Sequence, residues 1–451
     1  MEMNFDNFKE QLFAAGKKQG YSQMEVFEKK SHSFNLRVFE QEVDHYAINE
    51  EQGLGLRALI DGKMGYAFTE KMDEESLDIL IKDVAENAEV IEKEEEEIFT
   101  GQEEYRDLDP YNSELNQVKP EEKIKLVKEL EKEALERDER VRAVNYCLYT
   151  DLEFEEKLVN TGGLNLSFKN NIAYCYISVI ASDGNQTKTA SRYFLTGDFD
   201  EFTPQSLARE AADEALGCLG ASPVPSGEYR VIFRNDVAAD LLSAFSGTLS
   251  AENVQKNLSL FRDKLGEEVA SDTITLIDDP FLKKGFRVCP FDAEGASTYQ
   301  KNVIENGVLK TFLHNQKTAS RAGVSTTGNA YRGSHKSYID IAPSNMYIKP
   351  GSYSRQELLS STEHGLFITE VQGLHAGANS VSGDFSLSAS GFLMENGDRK
   401  QPVEQITIAG NFLDMLKKIT MVGEDLKMGL PGSSHLGAPS IKVSSLSVAG
   451  E

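Results

Sequence analysis

Residues 373–411 read GLHAGANSVSGDFSLSASGFLMENGDRKQPVEQITIAGN, and their rhythm decides the fold of the chain's second half. Phe385, Leu387 and Ala389 alternate with Ser386, Ser388 and Ser390, the period of a strand with one buried face. Asn396-Gly397 then interrupts the run, and this dipeptide favours the left-handed backbone of a two-residue hairpin turn. The same device sits at Asn306-Gly307 in VIENGVLKTFLHN (303–315), and short glycine-punctuated runs continue through ITIAGNF and IKVSSLSVAG. Turn signals at this density imply a β-rich barrel or sandwich from about residue 270 onward. The glycines and small residues around 373–397 leave two uses open. They form a cleft wall whose strand edges pair with an extended peptide, or they serve tight hairpin geometry in a crowded barrel. Under the first, Asn379, Gly383, Asp384, Phe385 and Ser386 are the peptide-contact candidates.

Upstream the pattern changes. GLGLRALIDGKMGYAFTE (53–70) forms two alternating runs about Asp61-Gly62, a type I′ hairpin signal, and 173–197 repeats the device around Asp183-Gly184. Helix patterns at about 4–19, 74–97 and 119–138 alternate with these strands, the last opening after Pro120 with Glu121 and Glu122 where the helix dipole favours acids. The expected class is α+β. Helix-plus-antiparallel-sheet units occupy 1–110 and 111–222, and the Gly, Pro and Ser-rich GASPVPSGEY (220–229) separates them from a β-rich domain at 226–451.

That last domain carries an early helix, NDVAADLLSAFSGTLSAENVQK (235–256). Asn235 or Asp236 is a candidate cap, and Val237, Leu241, Leu242, Phe245 and Leu249 recur on one apolar face. Small side chains fill the rest, and Gly247 costs about 1 kcal/mol relative to alanine in a helix interior.

The 451-residue length suggests two or three domains, and no apolar run approaches a membrane span. The start, MEMNFDNFKEQLFAAGKKQG, lacks a signal-peptide core, so a soluble cytoplasmic protein without membrane contact is expected. A net charge of −26 argues against nucleic acid as a direct ligand. The densest charge run, EKEEEE at 92–97, reads as a solvated helix end. Cys147, Cys175, Cys218 and Cys289 are far apart, which suits free thiols in a reducing compartment.

Sites for chemistry are scarce. None of the seven histidines stands three or four residues from another, so no helix face offers two imidazoles. A non-contiguous hydrolase site from Glu363, His364, His375 or His314 is one alternative. Ser386 and Ser390 lack the GxSxG elbow of a hydrolase nucleophile, and neither a phosphate loop nor a dinucleotide fingerprint occurs.

FDAEGASTYQKNVIENGVLKTFLHNQKTASRAG (291–323) and residues 373–411 closely resemble the C-terminal domain of the TldD/PmbA family, long called modulators of DNA gyrase. MVGEDLKM (421–428), APSIKV (438–443) and GLGLRALIDGKMGYAFT (53–69) extend the resemblance over nearly the whole chain. It implies a two-subunit cytoplasmic protease forming a closed cage that binds unfolded or small peptides as an added strand. In that family the TldD-type subunit holds zinc through HExxxH on a helix early in the C-terminal domain and a cysteine near the C-terminus. The PmbA or TldE-type subunit lacks both.

Set against that motif, this chain has Ser243, Ala244, Phe245, Ser246, Gly247 and Thr248. Serine and threonine are poor zinc ligands, and Ala244 cannot act as a general base. GLPGSSHLGAPS (429–440) contains no cysteine, and His435 is its one conventional ligand. The resemblance therefore implies a non-catalytic, metal-free PmbA/TldE-type subunit with no cofactor of its own and with zinc in a TldD-type partner. A homodimeric peptide-binding module without catalysis is the other alternative.

Overall fold

The computed structural model describes residues 3–91, 99–101 and 103–451. The acidic run 92–97 lies outside them.

Six long strands build the N-terminal half: β1 (Gln23–Phe39), β2 (Glu42–Ile60), β3 (Lys63–Thr69), β4 (Val141–Asn160), β5 (Asn165–Ser182) and β6 (Thr187–Thr196). They form one antiparallel sheet in the order β3-β2-β1-β4-β5-β6. β1 is the seam, with Phe34 opposite Ile48 on one side and Asp151 on the other. Four helices cover the sheet: α1 (Phe5–Lys18), α2 (Glu74–Glu89), α3 (Pro120–Leu135) and α4 (Pro204–Gly217). Phe8, Leu12, Leu80 and Val84 from α1 and α2 pack on Leu54 and Leu56 of β2. Val127, Leu130, Ala208 and Ala211 from α3 and α4 pack on Tyr149 and Ile177 of β4 and β5. α2 ends at Glu89, short of the 97 expected from its pattern.

Both central residues of the Asp61-Gly62 turn have positive φ, 49° and 79°, as a type I′ hairpin requires. The β1–β2 turn reaches the same geometry at Glu40-Gln41, with φ of 52° and 62°. Neither residue favours it. The buried Glu131 carboxylate of α3 compensates by accepting the N–H groups of Glu40 (2.9 Å) and Gln41 (2.6 Å).

In the C-terminal half, β7 (Gly227–Phe233) leads into α5 (Asn235–Ser246). Short strands follow: β8 (Leu276–Asp278), β9 (Lys301–Glu305), β10 (Val308–Leu309), β11 (Ala330–Tyr331), β12 (Asp340–Ile341) and β13 (Asn345–Ile348). Then come β14 (His364–Gln372), β15 (Asp384–Glu395), β16 (Asp398–Asn411), β17 (Ile419–Val422), β18 (Lys427–Met428), β19 (His435–Ala438) and β20 (Ile441–Ala449). Strands β16-β15-β14-β7-β20 are consecutive neighbours, and Thr407–Ala409 of β16 pair back onto Ser447–Ala449 of β20. This closes a five-stranded barrel, the β-rich domain with an early helix that the turn signals imply. A second sheet, β10-β9-β8-β13-β19-β18, lies beside it.

The apolar face of α5 joins both sheets. Leu241, Leu242 and Phe245 are buried with Leu387 and Ile408 of the barrel and Met346 and Leu436 of the second sheet. The Phe245 ring stacks on Phe412 at 4.3 Å. Ala238 and Ala239 are also buried, so the small side chains permit the close approach of neighbouring strands.

Candidate functional site

α5 begins directly after Arg234, which occupies the cap position in place of the expected Asn235 or Asp236. Arg234 is buried and fully engaged. One guanidinium nitrogen lies 2.8 Å from both oxygens of Glu214 on α4, another 2.6 Å from the Thr369 carbonyl, and Nε donates to Asp236 at 2.6 Å. Glu214 also pairs with Arg192 of β6. These residues stand at the junction of two lobes of one cleft, with volumes of about 850 Å³ and 630 Å³. Its walls are α4 and β6 on one side, α5 and the end of β14 on the other, with the segment after Asp425 across it.

Asp236, Asp240 and Ser243, spaced four and three residues apart, present one face of α5 to the smaller lobe. Burial opposes ionisation of Asp236, yet the charge and hydrogen bond of Arg234 hold its carboxyl below the ordinary value. Among the described residues no cation contacts Asp240 in this way. Desolvation in the cleft and the neighbouring Asp236 push its carboxyl up to about 6.

Opposite α5, Thr189–Tyr193 of β6 line the same lobe. β6 is the last strand of its sheet and, among the described residues, pairs only with β5. Among the described residues, the remaining hydrogen bond to its backbone over this stretch is from the Arg192 guanidinium to the Ser191 carbonyl. The cleft therefore offers a sheet edge beside a helix face, the geometry on which an extended peptide adds as a strand.

The positions set against HExxxH do not fit a zinc ion. Ser243 is exposed on the cleft wall and Ala244 is half-buried. Thr248 lies beyond the end of α5 in a 3-10 turn (Gly247–Leu249), is buried, and donates its hydroxyl to the Phe245 carbonyl. Among the described residues no three His, Cys, Asp or Glu side chains gather as metal ligands. His435 is buried away from any such group. Its Nδ1 accepts the Phe286 N–H and its Nε2 faces the Gly429 carbonyl, each at 3.0 Å. Burial lowers its pKa to about 4, so the imidazole is neutral.

The alternative hydrolase site does not assemble. Glu363 and His364 stand at the start of β14 and His375 beyond its end, roughly 25 Å apart along an extended strand. Glu363 pairs with Arg230 at the surface, and His314 is buried, which lowers its pKa. The peptide-contact candidates lie together, but none lines the cleft. Asn379 accepts the N–H groups of Val381 and Ser382, while the Gly383 N–H donates to the Asn379 carbonyl. Asp384, Phe385 and Ser386 pair with Asn411, Gly410 and Ala409 of β16, and Ala378 bridges the other side of Phe385. Gly383 is left-handed, with φ of 84°.

Arg192, Glu214, Arg234, Asp236, Arg355 and Lys427 are the cleft residues that sequence reasoning missed. Apart from Arg234 and Asp236 at the start of α5, they come from separate segments, and no recognised motif links them. All four cysteines are free thiols.

Barrel, edge strand and flanking helix define an α+β protein with a two-lobed cleft. Family models for the PmbA/TldA metallopeptidase match its first domain over residues 24–88, its central domain over 113–219 and its C-terminal domain over 226–450. The chain belongs to the PmbA/TldD family. It is 31% identical to the metalloprotease PmbA homologue of Haemophilus influenzae, over 67% of this chain and 65% of that one, just under two thirds of the relative's length. A metalloprotease of Methanocaldococcus jannaschii is 30% identical over 84% of each. A solved structure from Thermotoga maritima, described as a candidate modulator of a DNA gyrase, superposes with a TM-score of 0.91 at 38% identity, covering 99% of this chain and all (100%) of that one. TldE from Thermococcus kodakarensis shares the fold, with a TM-score of 0.91 at 24% identity over 98% and 100% of the two chains. No helix among the described residues is long and apolar enough to cross a membrane.

Proposed function

We propose that this chain is the metal-free, PmbA/TldE-type subunit of a cytoplasmic two-subunit metallopeptidase, built from units at 1–110, 111–222 and 226–451. It binds unfolded or small peptides and completes the cage of a TldD-type partner that carries the zinc. The observation that carries this reading is the wall of the cleft: Ser243 lines it from α5 with the edge of β6 across a peptide-sized space, and the family resemblance sets Ser243 and its neighbour Ala244 against a zinc ligand and its base. In this proposal β6, rather than Asn379 and Gly383–Ser386, is the neighbour of the bound peptide, because its edge groups are open and those of β15 are paired. A closed barrel has no edge to offer.

The experiment compares metal content and peptide cleavage of the purified chain with those of a mixture containing a TldD-type subunit. Cleavage by the mixture, with zinc in the partner, supports the assignment. Stoichiometric zinc and cleavage in the isolated chain overturn it. Peptide binding by a self-associated chain that neither joins nor assists such a partner supports the homodimeric module instead.

A further inference from the structure

The larger lobe of the cleft gathers Arg192, Arg234, Arg355, Arg399 and Lys427 in a chain whose net charge is −26. Three of them have carboxylate partners. Arg192 and Arg234 share Glu214, and Arg355 donates through Nε and a terminal nitrogen to Asp425 at 3.0 and 2.8 Å. Among the described residues the other two have none. Among the described residues no carboxylate pairs with Arg399, whose guanidinium lies 4.7 and 5.0 Å from the ring centres of Phe367 and Phe392. Lys427 is held 4.3 Å over the Tyr193 ring, and the Tyr193 hydroxyl is tied to the Met428 carbonyl at 3.0 Å. Aromatic faces thus position both cations while their N–H donors stay open to the cavity.

Desolvation, with the positive charge of Arg355 and Arg234, lowers the pKa of Arg399. For Lys427 desolvation, Arg192 and Arg234 outweigh the opposing pull of Asp236 and Glu210, so an added anion relieves both groups. Asp236, Glu210 and Glu214 also line the lobe and repel a multiply charged ligand more than a singly charged one.

We infer that this lobe is a carboxylate subsite, in which Lys427, Arg399 and the free terminal nitrogen of Arg355 receive the C-terminal carboxylate or an Asp or Glu side chain of a peptide. The subsite rests on the peptide-binding reading above and adds to it a charge preference. β6 borders both lobes, so a peptide added along its edge in the smaller lobe reaches the cations in the larger one.

Calorimetry on the intact chain tests this with three unstructured peptides of one uncharged sequence: a free acid, its C-terminal amide, and the amide with one internal glutamate. The free acid, the glutamate amide or both bind about tenfold tighter than the plain amide at low salt, the size of one charge-assisted contact. Which of the two gains tells a C-terminal from a side-chain source. The advantage shrinks at high salt and disappears in the Arg399→Gln, Lys427→Gln double variant. Equal affinity of all three for the wild-type chain overturns the subsite without reference to any variant. So does an advantage that survives in a double variant with an unchanged melting temperature. Failure of every peptide to bind overturns both the subsite and the β6 path, whereas zinc content and cleavage by the mixture separately decide the subunit assignment.

Discussion

Arg234 and Glu214 meet across the cleft, one guanidinium nitrogen 2.8 Å from both carboxylate oxygens, and so tie the start of α5 to α4. Both side chains are nearly buried, with 10% and 13% exposure. Glu214→Gln leaves the guanidiniums of Arg234 and Arg192 short of a counter-charge and is expected to lower stability by about 3 kcal/mol. Urea unfolding measures the loss. A change below a few tenths of a kcal/mol would show that Asp236 alone neutralises the cluster.

His435 makes stability sensitive to acid. Its pKa falls from 6.5 to about 4 on folding because burial disfavours the imidazolium, so the unfolded chain binds the extra proton between these values. Its contribution is complete above about pH 6.5 and is lost as the pH falls toward 4. A shift of this size is worth about 3 kcal/mol. His435→Gln is expected to flatten that part of the stability profile, measured as melting temperature against pH.

Asp240 has the opposite sign. Its carboxyl rises from 3.8 to about 6, so the folded chain holds the proton more tightly and the contribution fades as pH rises through that interval. A carboxyl-carbon NMR titration is expected to place the midpoint near 6, and Asp236→Asn to move it toward the ordinary value. A midpoint near 4 in the wild-type chain contradicts the account.

Rebuilding the motif by Ser243→His, Ala244→Glu and Thr248→His is not expected to create a zinc site. Thr248 is 1% exposed in a 3-10 turn, and a histidine there overpacks the core at a cost of about 1–3 kcal/mol. Elemental analysis after dialysis checks the metal. Stoichiometric zinc in the triple variant would show that the turn rearranges.

Glu131→Ala removes the acceptor shared by Glu40 and Gln41 and is expected to cost about 3 kcal/mol, with faster amide hydrogen exchange at those two residues. Unchanged exchange would mean that strand pairing alone holds the turn.

Local chemistry made several features legible. Asp61-Gly62, Asn306-Gly307 and Asn396-Gly397 tolerate left-handed backbone at little cost, and the alternation of Phe385, Leu387 and Ala389 with serines survives as a buried and an exposed face. α5 was legible for the same reason, since its apolar spacing is a local period, and the poor metal-binding chemistry of Ser243 and Ala244 is a property of the residues themselves.

Contacts distant in sequence decided the rest. Glu40-Gln41 has no intrinsic preference for its turn and acquires one from Glu131, some ninety residues away. Barrel closure depends on β16 meeting β20, and the separation of His364 from His375 on where β14 runs. Arg192, Glu214, Arg234, Arg355 and Lys427 come from five distant segments of the chain. Only packing of α4 and β6 against the barrel brings them to one cleft, because Coulomb interactions depend on distance in space and leave no period in the sequence.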